Sequence, residues 1–365
     1  MFMLLAILPV LACGCHGSYL ISQAAGEVRL LAAARPVEEV RSDPSQPSGR
    51  IENLRELAGL LAFAGDVGLD VGDSYRTVAD HEGPVTWVVV AVKPGEIELF
   101  RWHFPLVGSV PYKGWFREEG AEMEAQEMRR RGFDVAVLPV PAFSTLGWFS
   151  DPLMPIQLDA PAGEFAEVVL HELVHRSCYF PGDARLSESV ATFLGERLSR
   201  LWLATRFGDK GTQLLDLEAR LRDRGKLRSF LALARSELKA AHREGTLDET
   251  GETARGVIEA LRIRLRETSF ELVDGDRLAD SGWSVPRVLL GHLYGADEEL
   301  LDRLWGAQGS DPAAFLGMVK AAIGRLDPRA ALLVGTTVDF GNDGGLGGVE
   351  ASEGSPYPGK FPVIR

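Results

Sequence analysis

One stretch constrains this chain more than any other: an aliphatic run that carries three ionisable side chains, Val168-Val169-Leu170-His171-Glu172-Leu173-Val174-His175-Arg176-Ser177-Cys178. A run this apolar packs into a core, where two histidines and a glutamate are costly unless something satisfies them. Residues four apart on an α-helix share a face, so His171 and His175 can present both imidazoles to one ion. Glu172 lies between them in sequence, near enough to touch a water on that ion without ligating it. Two neutral nitrogens that hold Zn2+ and a carboxylate that takes a proton from its water are the parts of a metal-assisted hydrolase. Such spacing arises by chance in a chain of this composition on the order of once in a hundred; the alternative is a partly buried helix with two core histidines. The run predicts a core helix, Zn2+ on His171 and His175, and Glu172 as general base.

A closed protein site needs a third ligand. Glu188, in Leu186-Ser187-Glu188-Ser189-Val190-Ala191, stands near the start of the next helix. The intervening Phe180-Pro181-Gly182-Asp183 reads as a turn that folds that helix back on the first. Glu188 is the chosen ligand, with Asp183 and Glu196 as rivals. Cys178 could ligate as a thiolate, but a lone buried cysteine is usually plain packing.

The remaining signals bound the setting. The chain has 365 residues, 45% hydrophobic and 25% charged, a balance that suits a soluble protein with a real core. Its net charge of −13 repels polyanions, which argues against nucleic acid as a partner. Three cysteines are too few for a disulfide framework. Two of them close the apolar leader at residues 1–15, which reads as a signal peptide with a lipobox-like ending. Cys13 or Cys15 would then be lipidated, giving an exported protein held at a membrane surface of the bacterial cell envelope without spanning it. No Lys or Arg precedes the apolar run, and the competing reading is a buried N-terminal helix.

Periodicity predicts an α+β fold, a small mixed sheet packed on a mainly helical body that carries a zincin-like active-site helix. Residues 16–80 read as an N-terminal helical region, with helices over 16–35 and 51–67. Residues 81–210 read as the α/β unit and catalytic helices: strands at 85–92, 97–104 and 135–140, a charged helix at 117–131, then helices at 164–179 and 185–207. Residues 211–330 read as a helical C-terminal region, with an antiparallel hairpin (212–243 and 252–268) and two helices within 284–326. Residues 331–365, rich in Gly and Pro, read as a loose tail. Two loops punctuated by Pro, Gly and aromatic residues, 110–116 and 144–152, could line a cleft for extended peptide, with simple core packing as the alternative.

The His-Glu-x-x-His helix followed by a Glu-bearing helix resembles the gluzincin metallopeptidases, with Ser187 in a place often held there by Asn. A closer resemblance is to a family of predicted bacterial aminopeptidases described as lipoproteins. It runs from the leader to about residue 205 and looser beyond 210. It rests on Gly14-Cys15, Gln23 and Gly26, on Gly108, Val110-Pro111-Tyr112-Lys113-Gly114 and Phe116, on Ser144-Thr145-Leu146-Gly147-Trp148-Phe149 with Asp151-Pro152, and on the metal helix and Glu188. Phe143 stands where the family has Tyr. The resemblance implies a zinc-dependent aminopeptidase acting on peptide or protein. An endopeptidase or processing protease on the same scaffold, and a non-catalytic zinc-binding lipoprotein that recognises a partner, are the alternatives. Gluzincins also use a Tyr or His to hydrogen-bond the tetrahedral intermediate; His292, Tyr294, Tyr112 and Tyr179 are candidates for that role.

Overall fold

The β-branched run ahead of Pro94-Gly95 forms the central strand of a three-stranded sheet. A computed structural model describes residues 32–334 apart from 80, 82, 85, 105–107, 141–151, 248–250 and 292–296. Cys13, Cys15, His292, Tyr294, nearly all of the helix expected over 16–35, the loop at 144–151 and the tail beyond 334 therefore lie outside the described residues. The chain begins with β1 (Arg35–Pro36), α1 (Val37–Arg41), α2 (Ser48–Asp66) and β2 (Thr77–Val78). The α/β unit follows: β3 (Thr86–Val92), β4 (Trp102–Phe104), β5 (Gly108–Val110), β6 (Lys113–Trp115), α3 (Glu118–Arg130) and β7 (Asp134–Val140).

β3 pairs antiparallel with β6 on one edge and β7 on the other, with Val88 opposite both Gly114 and Leu138. Its two faces are both covered. Val89 and Ala91 pack with Ala121, Ala125 and Met128 of α3, whereas Val90 packs with Ala136 and Leu138 against Tyr112. A strand covered on both sides needs no polar alternation, which is why it reads as a continuous apolar run. The segment expected to pair as one strand over 97–104 divides. β6 occupies only Trp87 to Val89, so Leu99 and Phe100 meet the far end of that edge through a bridge to Val92 and a 2.8 Å bond from Phe100 N–H to Ala91. β4 then turns away to pair with β5. The ladders are antiparallel, and among the described residues Val78 and Leu153 form a single parallel bridge.

Helices make up the rest: α4 (Pro155–Leu158), α5 (Ala162–Ser177), α6 (Ala184–Phe207), α7 (Thr212–Arg243), α8 (Glu252–Glu267), α9 (Gly275–Ala279), α10 (Val285–Leu290), α11 (Glu298–Ala307), α12 (Pro312–Ala322) and α13 (Pro328–Val334). One core joins α2, α5 and α6 to Leu217 and Leu221 of α7 and to α11–α13. A second joins Leu227, Leu231 and Leu238 of α7 to Leu261 and Leu265 of α8 and to Trp283 and Val288. α7, about 48 Å long at 1.5 Å per residue, is thus shared by both. α13 enters the segment expected as tail, because Leu332 is buried in the first core. Among the described residues, no helix is long and apolar enough to cross a membrane.

Candidate metal centre

α5 forms where the aliphatic spacing predicts a helix. Phe165, Val169, Leu170, Leu173 and Val174 are buried in the first core, and Val168 is half-buried. Asn53 of α2 donates from Nδ2 to the carbonyls of Leu158 and Ala160, each at 2.8 Å, and Arg50 forks onto Asp159 at 2.8 and 2.9 Å. These bonds fix the approach to α5. After α5, Gly182 takes a φ of 82°, a left-handed conformation that glycine adopts freely. Asp183 then caps α6, its Oδ1 accepting from Leu186 N–H at 3.0 Å. The Ser187 hydroxyl accepts from Phe180 N–H at 3.0 Å and donates to the Asp183 carbonyl at 3.1 Å, locking the turn immediately before Glu188.

This hairpin brings His171, His175 and Glu188 together. The two Nε2 atoms are 3.1 Å apart, and Glu188 places Oε2 3.5 Å from His171 Nε2 and Oε1 3.4 Å from His175 Nε2. The ligand atoms all lie within 4.8 Å of one another. A tetrahedral ion bonded at about 2.0–2.1 Å keeps its donors about 3.3 Å apart, so this set fits a single ion. The imidazoles are 5% and 7% exposed and Glu188 23%, so the group is open on the Glu188 side. Burial alone would raise the Glu188 carboxyl, but the His175 and His171 imidazoles beside it hold it well below the usual carboxylate range. Burial also pushes up the phenols of Tyr112 and Tyr179, with the Glu188 charge adding to each. Both tyrosines therefore stand within electrostatic reach of Glu188. Glu172 is half-buried beside His171.

The rival ligands are engaged elsewhere. Asp183 caps α6 and pairs with Arg329, which also binds Asp297 at 3.0 Å. Burial pushes the Cys178 thiol up to about 11, the opposite of what a thiolate ligand requires. Glu196 belongs to a buried ion cluster that the sequence reading missed. Arg224 of α7 forks onto Glu167 at 2.7 and 3.0 Å and reaches Glu196 at 3.3 Å, and Arg228 meets Glu196 at 2.5 Å. Burial works against the Arg224 charge, but Glu167 and then Glu196 more than offset it. The signal available in sequence was Glu167, one turn before His171 on the same helix face.

An α+β chain in which two imidazoles and a carboxylate converge between consecutive core helices falls in the class of proteins able to hold a single metal ion. The family described as "Putative aminopeptidase" matches residues 18–330, and the chain belongs to that family. The match extends well past residue 205, through the α7–α8 hairpin, and supports a peptidase at the level of the family. No curated protein matches the chain, and no solved structure does.

Proposed function

We propose that the chain is a zinc-dependent peptide hydrolase with aminopeptidase selectivity, in which His171, His175 and Glu188 hold Zn2+ and Glu172 is the general base. The observation that carries this reading is the convergence of three donors, 3.1–3.5 Å apart, on one buried hairpin. Bound there, the ion would supply Lewis acidity toward the attacking water and the scissile carbonyl. The Glu172 carboxylate takes a proton from the water as its oxygen adds to the carbonyl carbon. It returns that proton to the amine nitrogen as the carbon–nitrogen bond breaks. Tyr112 and Tyr179, which stand within electrostatic reach of Glu188, are proposed donors for the carbonyl oxygen as it gains charge. His292 and Tyr294 are proposed for the same role on sequence grounds. The aliphatic residues around the imidazoles keep competing water out. The proposed substrate is a peptide or protein met in the bacterial cell envelope, in the periplasm or at the outer face of a membrane, where a lipid on Cys13 or Cys15 would anchor the enzyme.

The test is metal analysis followed by digestion of a peptide library. Purified protein should carry about one zinc per chain, and His171→Ala or His175→Ala should lose it. Stepwise release of N-terminal residues supports the aminopeptidase reading; internal cuts would make the enzyme an endopeptidase. Full zinc occupancy in the double histidine variant would reject the site.

A further inference from the structure

Glu167 lies one turn before His171 on α5 and is 1% exposed; Glu196 lies two turns beyond Glu188 on α6 and is 6% exposed. α5 and α6 are joined by a short turn, and the Glu167–Glu196 pair lies on the side of the three donors away from that turn. Two carboxylates drawn together in a core repel one another unless a cation is fixed between them. Arg224 does this from a third helix, with both arms on Glu167 and one nitrogen on Glu196, and Arg228 adds a second cation. At the same level the helices meet almost backbone to backbone. A Cβ built on Gly195 would lie 3.2 Å from His171 Cβ and 3.3 Å from the Glu167 carbonyl oxygen, tight enough that a neighbour would have to give by a few tenths of an ångström. α7 contributes none of the three donors, yet its arginines hold together the helices that do.

We propose that the cluster of Glu167, Arg224, Glu196 and Arg228, closed over Gly195, sets the separation of α5 and α6 at the metal turn, and that Arg224 is thereby a positioning residue of the metal centre. The inference rests on the reading of His171, His175 and Glu188 as a metal site. A metal tolerates errors of only about 0.2 Å in its ligand distances. Glu188 is carried on α6 and the imidazoles on α5, so any change in helix separation passes directly into that geometry.

Three readouts test it on the full chain: Zn2+ affinity by chelator competition, the visible absorption of the Co2+-loaded protein, and the unfolding midpoint of the metal-free protein. The variants are Gly195→Ala, Arg224→Lys, Arg224→Met and, as a control in the second core, Leu265→Ala. Gly195→Ala raises helix propensity, so lost affinity there cannot come from a frayed helix. Lysine keeps the charge but cannot fork, so Arg224→Lys should retain more affinity than Arg224→Met. Gly195→Ala and Arg224→Met should each weaken Zn2+ binding by about 10- to 100-fold and change the Co2+ spectrum. Leu265→Ala should lower the midpoint and leave affinity and spectrum as in the wild type. Wild-type affinity and spectrum in Gly195→Ala and Arg224→Met would overturn the proposal, as would an equal loss of affinity in Leu265→Ala. A wild-type chain that binds no Zn2+ would instead overturn the metal reading on which it rests.

Discussion

In the proposed mechanism Glu172 and Glu188, the same residue type, have different tasks, and substitution should separate them. Glu188 faces both imidazoles at 3.4 and 3.5 Å, so Glu188→Gln should weaken zinc binding and turnover together. Glu172→Gln leaves three ligands in place and removes the base. It should keep its zinc and lose about 100-fold or more in turnover on any peptide the wild type cleaves. Asp183→Asn should leave zinc affinity nearly unchanged, because its carboxylate is spent on a helix cap and on Arg329. Metal content and steady-state rates on the same preparations decide each case, and a fully active Glu172→Gln would end the hydrolytic mechanism. What was legible at this scale was local. His171, His175 and Glu188 follow from helical periodicity and one turn. Arg224 did not, because its partner Glu167 is 57 positions away and nothing in a single sequence marks which of many surface-like arginines turns inward. Asp183 and Glu196 were legible as carboxylates near the site but not as cap and ion-pair partner, since ligands, caps and ion pairs draw on the same residue types.

Among the elements, the short turn between α5 and α6 decides where Glu188 sits. Asp183 satisfies the Leu186 N–H, and its loss in Asp183→Ala should lower stability by about 1 kcal/mol from the cap alone. Release of Arg329 adds to that, because Arg329 ties α13 to the same turn. Urea unfolding of the purified variant measures the cost; an unchanged midpoint would show that the cap is idle. Long periodic helices were read nearly to the residue, as with the hairpin expected over 212–243 and 252–268 and found at Thr212–Arg243 and Glu252–Glu267. Short ones were merged. Two helices were expected within 284–326, where the chain forms Val285–Leu290, Glu298–Ala307 and Pro312–Ala322. The last of these begins at Asp311-Pro312, a side-chain cap followed by a first-turn proline, a start signal that the sequence carries. The strand expected over 97–104 failed for a reason no periodicity contains: the edge it would have joined is already half occupied by β6.

At the scale of the whole molecule, α7 runs through both cores and carries Arg224 and Arg228, which pair with Glu167 and Glu196 of the α5–α6 hairpin. The family match, from residue 18 to residue 330, spans both cores up to the first residues of α13. The leader lies ahead of it and makes its own prediction. If the apolar run ends in a lipidated cysteine, mass spectrometry of the native protein should find a chain that begins at Cys13 or Cys15 and carries added acyl mass. An intact Met1 would return the protein to the cytoplasm and detach the peptidase reading from the cell envelope.

The three converging side chains belong to two consecutive helices joined by a turn, whereas the arginine that braces them comes from the following one. Contacts close in sequence form early and quickly, and those that must close a longer loop form later. By that ordering the three side chains would meet before the brace docks. If the three donors hold an ion as proposed, the hairpin alone would present a looser set of ligands than the completed chain, and high metal affinity would be a property of that completed chain.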